Sequence, residues 1–171
     1  VVYMWRHDVS GAAGVVINKR CQQPDFKHIC NEGLIHRLAK VNHPVYYGGP
    51  VLTNVVGVLH STDYILSSTN KLTDDKVGFT LDRKMLEVIA KGQGPKNKLI
   101  TLGLANWSTG QLEEELEHPR DPAMSWLLMD YDEKFVFGQL DEDKPDDLWE
   151  RSLAEAIRKK TKEITSRVFK D

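Results

Sequence analysis

The stretch from Lys98 to Leu116 restricts the fold of this chain more than any other. Lys98-Leu99-Ile100-Thr101-Leu102-Gly103-Leu104-Ala105 is apolar almost throughout, the pattern of a strand buried within a sheet. Trp107 follows, and Ser108-Thr109-Gly110 leads directly into the acidic amphipathic helix pattern Gln111-Leu112-Glu113-Glu114-Glu115-Leu116. A buried strand passing at once into a helix requires further layers around it. With 171 residues, 40% of them hydrophobic, the chain can supply those layers from one domain with a sizeable core.

The rest of the chain alternates strand and helix signals irregularly. Val1 to Trp5 and Gly14 to Asn18 read as a hairpin around the turn Asp8 to Gly11. Phe26, Ile29, Cys30, Leu34 and Leu38 fall at helical spacing after Asp25, and Pro44 ends any continuation. Val45 to Tyr47 is β-prone and broken by Gly48-Gly49-Pro50. Val55 to His60 and Val77 to Leu81 read as strands, with Leu66 to Lys71 unassigned. Asp82 is placed to cap a helix carrying Met85, Leu86, Ile89 and Ala90, with Gly92 at its stop. After a helix from Thr109 to Glu117, Pro119 begins a loop from His118 to Ala123. Ser125 to Met129 and Lys134 to Phe137 read as short strands about the acidic turn Asp130–Glu133. An acidic linker, Asp141 to Asp147, precedes a last helix starting near Pro145, with Trp149, Leu153, Ala156, Ile157, Ile164 and Val168 on one stripe. Helices of varied length between hairpins indicate an α+β fold, not a regular parallel array.

Each standard chemistry can be tested against these residues. A net charge of −2 and a pI near 6.3 speak against nucleic acid, which favours a basic face. The basic run Arg158-Lys159-Lys160 reads as a dipole-matched helix end. Gly11 to Gly14 and Gly92 to Gly94 precede strands, and Gly103 to Gly110 lacks nucleotide-loop spacing. His28 and His36 lie two turns apart, and no His-Glu-x-x-His or Cys-x-x-Cys occurs, so no metal or other cofactor is expected. Cys21 and Cys30 are too few for a disulfide scaffold; Cys30 falls on a helix's apolar side and Cys21 in a polar turn. His60-Ser61 is the one nucleophile-and-base pair, but neighbours on an extended chain point oppositely. Glu113, Glu114 and Glu115 fan around a helix and read as a solvated face. No apolar run is long enough to cross a bilayer.

Tyr46, Tyr47 and Trp107 stand beside small residues that permit close backbone approach. They read as tight junctions in the core, or as the rim of a shallow groove lined by Asn18, Tyr47, His60, Asn106, Trp107 and Gln111.

Taken in order, Gly11-Ala12-Ala13-Gly14-Val15-Val16-Ile17-Asn18, Val45-Tyr46-Tyr47-Gly48-Gly49-Pro50-Val51, Gly57-Val58-Leu59-His60-Ser61, Leu86-Glu87-Val88-Ile89-Ala90-Lys91-Gly92-Gln93-Gly94-Pro95 and Leu102-Gly103-Leu104-Ala105-Asn106-Trp107 resemble the YqgE/AlgH family of bacterial proteins. The similarity covers about residues 1–130, and the Trp149 helix also fits. The resemblance implies a single α+β domain across residues 1–171, with a branched mixed and antiparallel sheet, a small closed barrel and flanking helices. Three departures stand out: the family usually carries a further N-terminal segment before Val1, Asn106 stands where glycine is usual, and His118 to Ser125 replaces a shorter connection. The family has no established activity, although some members are labelled transcriptional regulators.

The residues therefore point to a non-enzymatic cytoplasmic protein acting through protein contacts, with regulation as one form of that role. A small-molecule-binding or hydrolytic enzyme built on His60, Asn18, Asn106 and Gln111 is the alternative, and a transcriptional regulator the second alternative. Nothing in the residues sets an oligomeric state.

Overall fold

The computed structural model describes residues 1–21, 43–119, 125–138 and 147–168. Within them the strands are β1 (Val2–Asp8), β2 (Gly11–Val16), β3 (Val45–Tyr47), β4 (Val51–Ser61), β5 (Asn70–Leu72), β6 (Val77–Thr80) and β7 (Lys98–Trp107). The helices are α1 (Arg83–Ala90), α2 (Gln111–Glu117), α3 (Glu133–Phe137) and α4 (Asp147–Val168). The helix expected after Asp25, with Cys30, His28 and His36, lies outside the described residues, as do the loop after Pro119 and the linker before Asp147.

β7 is the hub. Its first half pairs antiparallel with β4, Val58 opposite Ile100, and on its other edge parallel with β3, Tyr46 opposite Thr101. Beyond β3, that same edge pairs antiparallel with β2, Ala13 opposite Asn106. Two strands sharing one edge make the sheet branched, and its main path runs β1-β2-β7-β4-β6-β5. The sheet curls into a nearly closed barrel. The Trp5 ring stacks on Phe79 of β6 at 4.9 Å between centroids, and Tyr3 Oη lies 2.7 Å from Thr73 Oγ1 beyond β5. The expected α+β architecture with a branched sheet is therefore the observed one.

A single glycine sets which face each β7 side chain takes. Leu99 and Leu104 enter the same core cluster although they lie an odd number of positions apart, which regular strand alternation forbids. Gly103, at φ 72°, takes the strand out of its extended conformation, and opposite it β4 carries the extra residues, its register jumping from Val51 to Val56 while β7 passes from Leu104 to Leu102. After Gly103, Leu104 shares the face of Leu99. Ala105 and Trp107 take the opposite face, the side on which Ile100 and Leu102 lie before it.

The core follows from this. Leu99 and Leu104 pack with Val15, Leu59, Phe79, and Val136 and Phe137 of α3. Ile100 and Leu102 meet Met85, Leu86 and Ile89 of α1. Asp82 caps α1, its side chain accepting from Lys84 N at 2.9 Å.

Two expected strands are not strands. Residues 125–130 are irregular, and Lys134 to Phe137 belongs to α3. The expected acidic turn supplies the reason, because Asp132 Oδ1 accepts from Lys134 N at 2.8 Å and Phe135 N at 3.2 Å and so nucleates a helix. The α4 stripe is also rotated from the expected one: Leu148, Ser152 and Ala156 are buried, while Trp149 and Ile157 are exposed.

Candidate functional site

The six residues expected to line one groove do not converge. His60 pairs in register with Lys98 at the start of β7, whereas Asn106 lies eight residues further along that strand. That separation is about 26 Å of extended chain. His60 is fully buried. Its Nδ1 donates to the Ser61 carbonyl at 2.8 Å, and its Nε2 has no partner. Burial lowers its pKa, so the ring is neutral near pH 7. The Ser61 hydroxyl donates to Asp63 and accepts from Asn97 N at 3.0 Å. The base on Ser61 Oγ is the Asp63 carboxylate and not His60, so the arrangement expected around His60 is not formed.

The remaining five scatter. Asn18 Oδ1 accepts from the Val1 nitrogen at 2.7 Å. Tyr47 is half-buried beneath the Lys19 ammonium, 4.9 Å from the ring centroid. Asn106 is exposed within β7 and shows no positive φ, so its strand accepts a non-glycine residue without strain. Gln111 has a structural task. Its Oε1 accepts from both Ser108 N and Ser108 Oγ at 3.1 Å, which ties the turn before the Gly110 N-cap to the first residue of α2. Trp107, read either as a tight junction in the core or as a groove rim, is only 7% exposed and packs with Ala12, Ala105 and Leu112.

What converges instead is built on Glu115, which the sequence placed on a solvated face. Glu115 Oε2 accepts from Trp107 Nε1 at 3.1 Å and from Trp126 Nε1 at 3.0 Å. Its Oε1 accepts from Gln111 Nε2 at 3.1 Å. The two indoles meet edge to face, 5.9 Å between centroids and 74° between planes, a favoured aromatic geometry. One carboxylate thus ties the irregular segment 125–130 to α2 and to the end of β7.

That tie holds apolar side chains in water. Trp126 is 39% exposed, Leu127 41% and Leu128 74%. Glu114 and Glu117 of α2 and Asp130 beside them are exposed as well. Asp130 receives Lys159 of α4 at 2.6 Å. Glu113 receives His7 Nε2, a hydrogen bond that lowers its carboxyl pKa.

Among the described residues no group of three His, Cys, Asp or Glu side chains is arranged to hold a metal ion, and no helix is long and apolar enough to cross a membrane. The molecule is thus an α+β protein with a branched, nearly closed sheet and a carboxylate-anchored apolar surface.

Comparison with known proteins fits this description. The AlgH-like family model matches residues 1–160. A UPF0301 protein of Bradyrhizobium sp. is 36% identical over 154 residues, covering 85% of this chain and 69% of its own. Another from Rickettsia akari is 35% identical over 155 residues, covering 90% of this chain and 76% of its own. The solution structure of the AlgH protein from Pseudomonas aeruginosa superimposes with a TM-score of 0.67 at 28% identity, covering 91% of this chain and 77% of that one. The chain belongs to the AlgH-like family.

Proposed function

We propose that this protein acts without catalysis of its own, by binding a protein segment on the surface formed by Trp126, Leu127 and Leu128, in a regulatory role within the cytoplasm. One observation carries the reading: three consecutive large apolar residues stand in water while Glu115 fixes the first of them to the body of the fold. Isolated exposed apolar residues are ordinary, but a contiguous, immobilised run is a feature of interaction surfaces. Preorganisation by Glu115 removes part of the ordering cost of binding. The adjoining α2 is acidic, with Glu113, Glu114 and Glu117 and no cation. The complementary occupant is therefore a segment that combines apolar side chains with Lys or Arg.

The test is titration of the whole chain with amphipathic helical peptides of matched hydrophobicity, one basic and one acidic, read by intrinsic Trp emission. The basic peptide should bind with a dissociation constant on the order of micromolar and weaken with added salt. Leu128→Asp, at a position already in water, should weaken it about tenfold or more. Equal binding of the two peptides, or an unaffected Leu128→Asp variant, would refute the proposal.

A further inference from the structure

Helix α4 carries two apolar ridges, and the fold covers one of them. Leu148, Ser152 and Ala156 face the body of the protein, whereas Trp149 is 55% exposed and Ile157 54%, with half-buried Leu153 between them. Trp149, Leu153 and Ile157 follow at four-residue steps, an i±4 ridge about 12 Å long. A surface helix ordinarily turns polar residues outward at such positions.

The charges along the same helix indicate what covers the ridge. Glu150 lies at its N-terminal end beside Arg151, whose guanidinium stacks over the Phe135 ring of α3 at 5.3 Å, while Arg158, Lys159, Lys160 and Lys162 follow Ile157. Arg158 is engaged by Glu155 at 2.7 Å and Lys159 by Asp130. Among the described residues neither Glu150 nor Lys160 has an ion-pair partner. Lys160, two turns after Leu153, continues the ridge toward the helix C-terminus.

We propose that this ridge is a self-association surface on which two copies of the chain pack α4 against α4 in antiparallel orientation. The two-fold axis passes beside Leu153, so that Trp149 of each copy lies level with Ile157 of the other. Interdigitated i±4 ridges cross at about 50°, the commonest helix-packing class. The acidic end of each helix then meets the basic end of the other, bringing Glu150 within reach of Lys160 of the second copy, whose ammonium also approaches the Trp149 ring. A parallel pair would set Glu150 on Glu150 and Lys160 on Lys160. The inversion of charge about Leu153 is what an isologous interface needs from a single sequence. Three apolar side chains and a charged rim bury less than the ~800 Å² per partner of a standard interface, so the dissociation constant falls on the order of 100 μM.

Sedimentation equilibrium on the whole chain, from about 1 μM to about 1 mM, tests this. The average mass should rise from 19.5 kDa toward twice that value. Ile157→Asp should keep the chain single throughout. Glu150→Lys and Lys160→Glu should each weaken association about 5- to 10-fold, and the two together should restore it. These positions are exposed, and circular dichroism checks that each variant keeps its helices. The proposal is overturned by a wild-type chain that stays single, by an Ile157→Asp variant that associates normally, or by a double charge reversal without recovery. A chain that remains single until a different protein covers Trp149 overturns it too.

Discussion

Removing the Glu115 carboxylate tests whether one side chain holds the apolar segment in place. In Glu115→Ala, Trp107 Nε1 loses its acceptor inside a ring that is 7% exposed. An unsatisfied buried donor costs about 1–3 kcal/mol. Trp126 is partly in water, so its indole N–H recovers a solvent partner and loses about 0.5 kcal/mol. Loosening the edge-to-face pair removes about 0.5–1 kcal/mol more. Against these losses, Ala favours the helix and one acidic charge leaves α2, which together return a few tenths of a kcal/mol. The net expectation is destabilisation by about 2–4 kcal/mol, a Tm decrease of about 4–16 °C for a chain of this size. Glu115→Gln keeps an acceptor oxygen but not the charge, and should lose about 1 kcal/mol. Urea unfolding followed by circular dichroism gives the free energies, and Trp emission at zero denaturant should shift to the red as Trp126 is released. A double-mutant cycle with Trp126→Phe should show coupling of about 1 kcal/mol. A Glu115→Ala chain within about 0.5 kcal/mol of wild type, with unchanged emission, would refute the reasoning.

Other perturbations follow from particular contacts. A Cβ on Gly49, at φ 149°, would lie 2.2 Å from the Leu104 carbonyl carbon, so Gly49→Ala should cost about 3 kcal/mol or more or abolish soluble expression. In the β5–β6 turn Thr73, Asp74 and Asp75 all hold left-handed φ of 50°, 52° and 62°. Asp74→Gly should therefore raise stability by about 0.5–1 kcal/mol in thermal unfolding. Burial lowers the His60 pKa below its ordinary 6.5. The folded chain refuses a proton the unfolded chain takes, so this contribution is intact above pH 6.5 and lost progressively as pH falls below it. His43 shifts in the same direction, by burial first and then by Lys98. Denaturant titrations at successive pH values should show wild type losing stability below 6.5 more steeply than His60→Gln, and parallel curves would count against a buried neutral ring.

What the sequence disclosed depended on whether the deciding contact is local. The β1–β2 hairpin, the Asp82 cap and the β7 run rest on near neighbours, and the structure contains all three. Asp132 is a local signal too, yet Lys-Phe-Val-Phe reads as strand unless the cap is weighed above β-propensity. Glu115 also had a legible trace. With Leu112 and Leu116 it occupies i, i+3 and i+4 on α2, the buried face of the helix, so three consecutive glutamates could not all be solvated. Its second partner, Trp126, lies beyond the loop, and helical spacing alone cannot name it.

The choice between core and groove rim for Trp107 has a different origin, because it turns on the phase of a strand. Counted by simple alternation, Leu99, Thr101, Gly103, Ala105 and Trp107 share one face, and Trp107 stands on the side of Leu99. At the left-handed Gly103 the alternation breaks, and the side chains after it change face. That the alternation breaks at Gly103 can be recognised only from its cross-strand neighbours: its Cβ position is 2.4 Å from the Gly49 carbonyl oxygen and 3.0 Å from that of Val51. Those residues lie some fifty positions earlier in the chain, so the phase belongs to the β4–β7 pairing and not to the β7 sequence. The same shift that buries Trp107 against Leu112 brings its indole to Glu115, while Trp126, Leu127 and Leu128 stay exposed. A Gly103→Ala chain that still folds would have to return residue 103 to extended backbone and restore the alternation. It should then expose Trp107 and break the Glu115 contact, which a red shift in Trp emission absent from a Trp107→Phe, Gly103→Ala double variant would report.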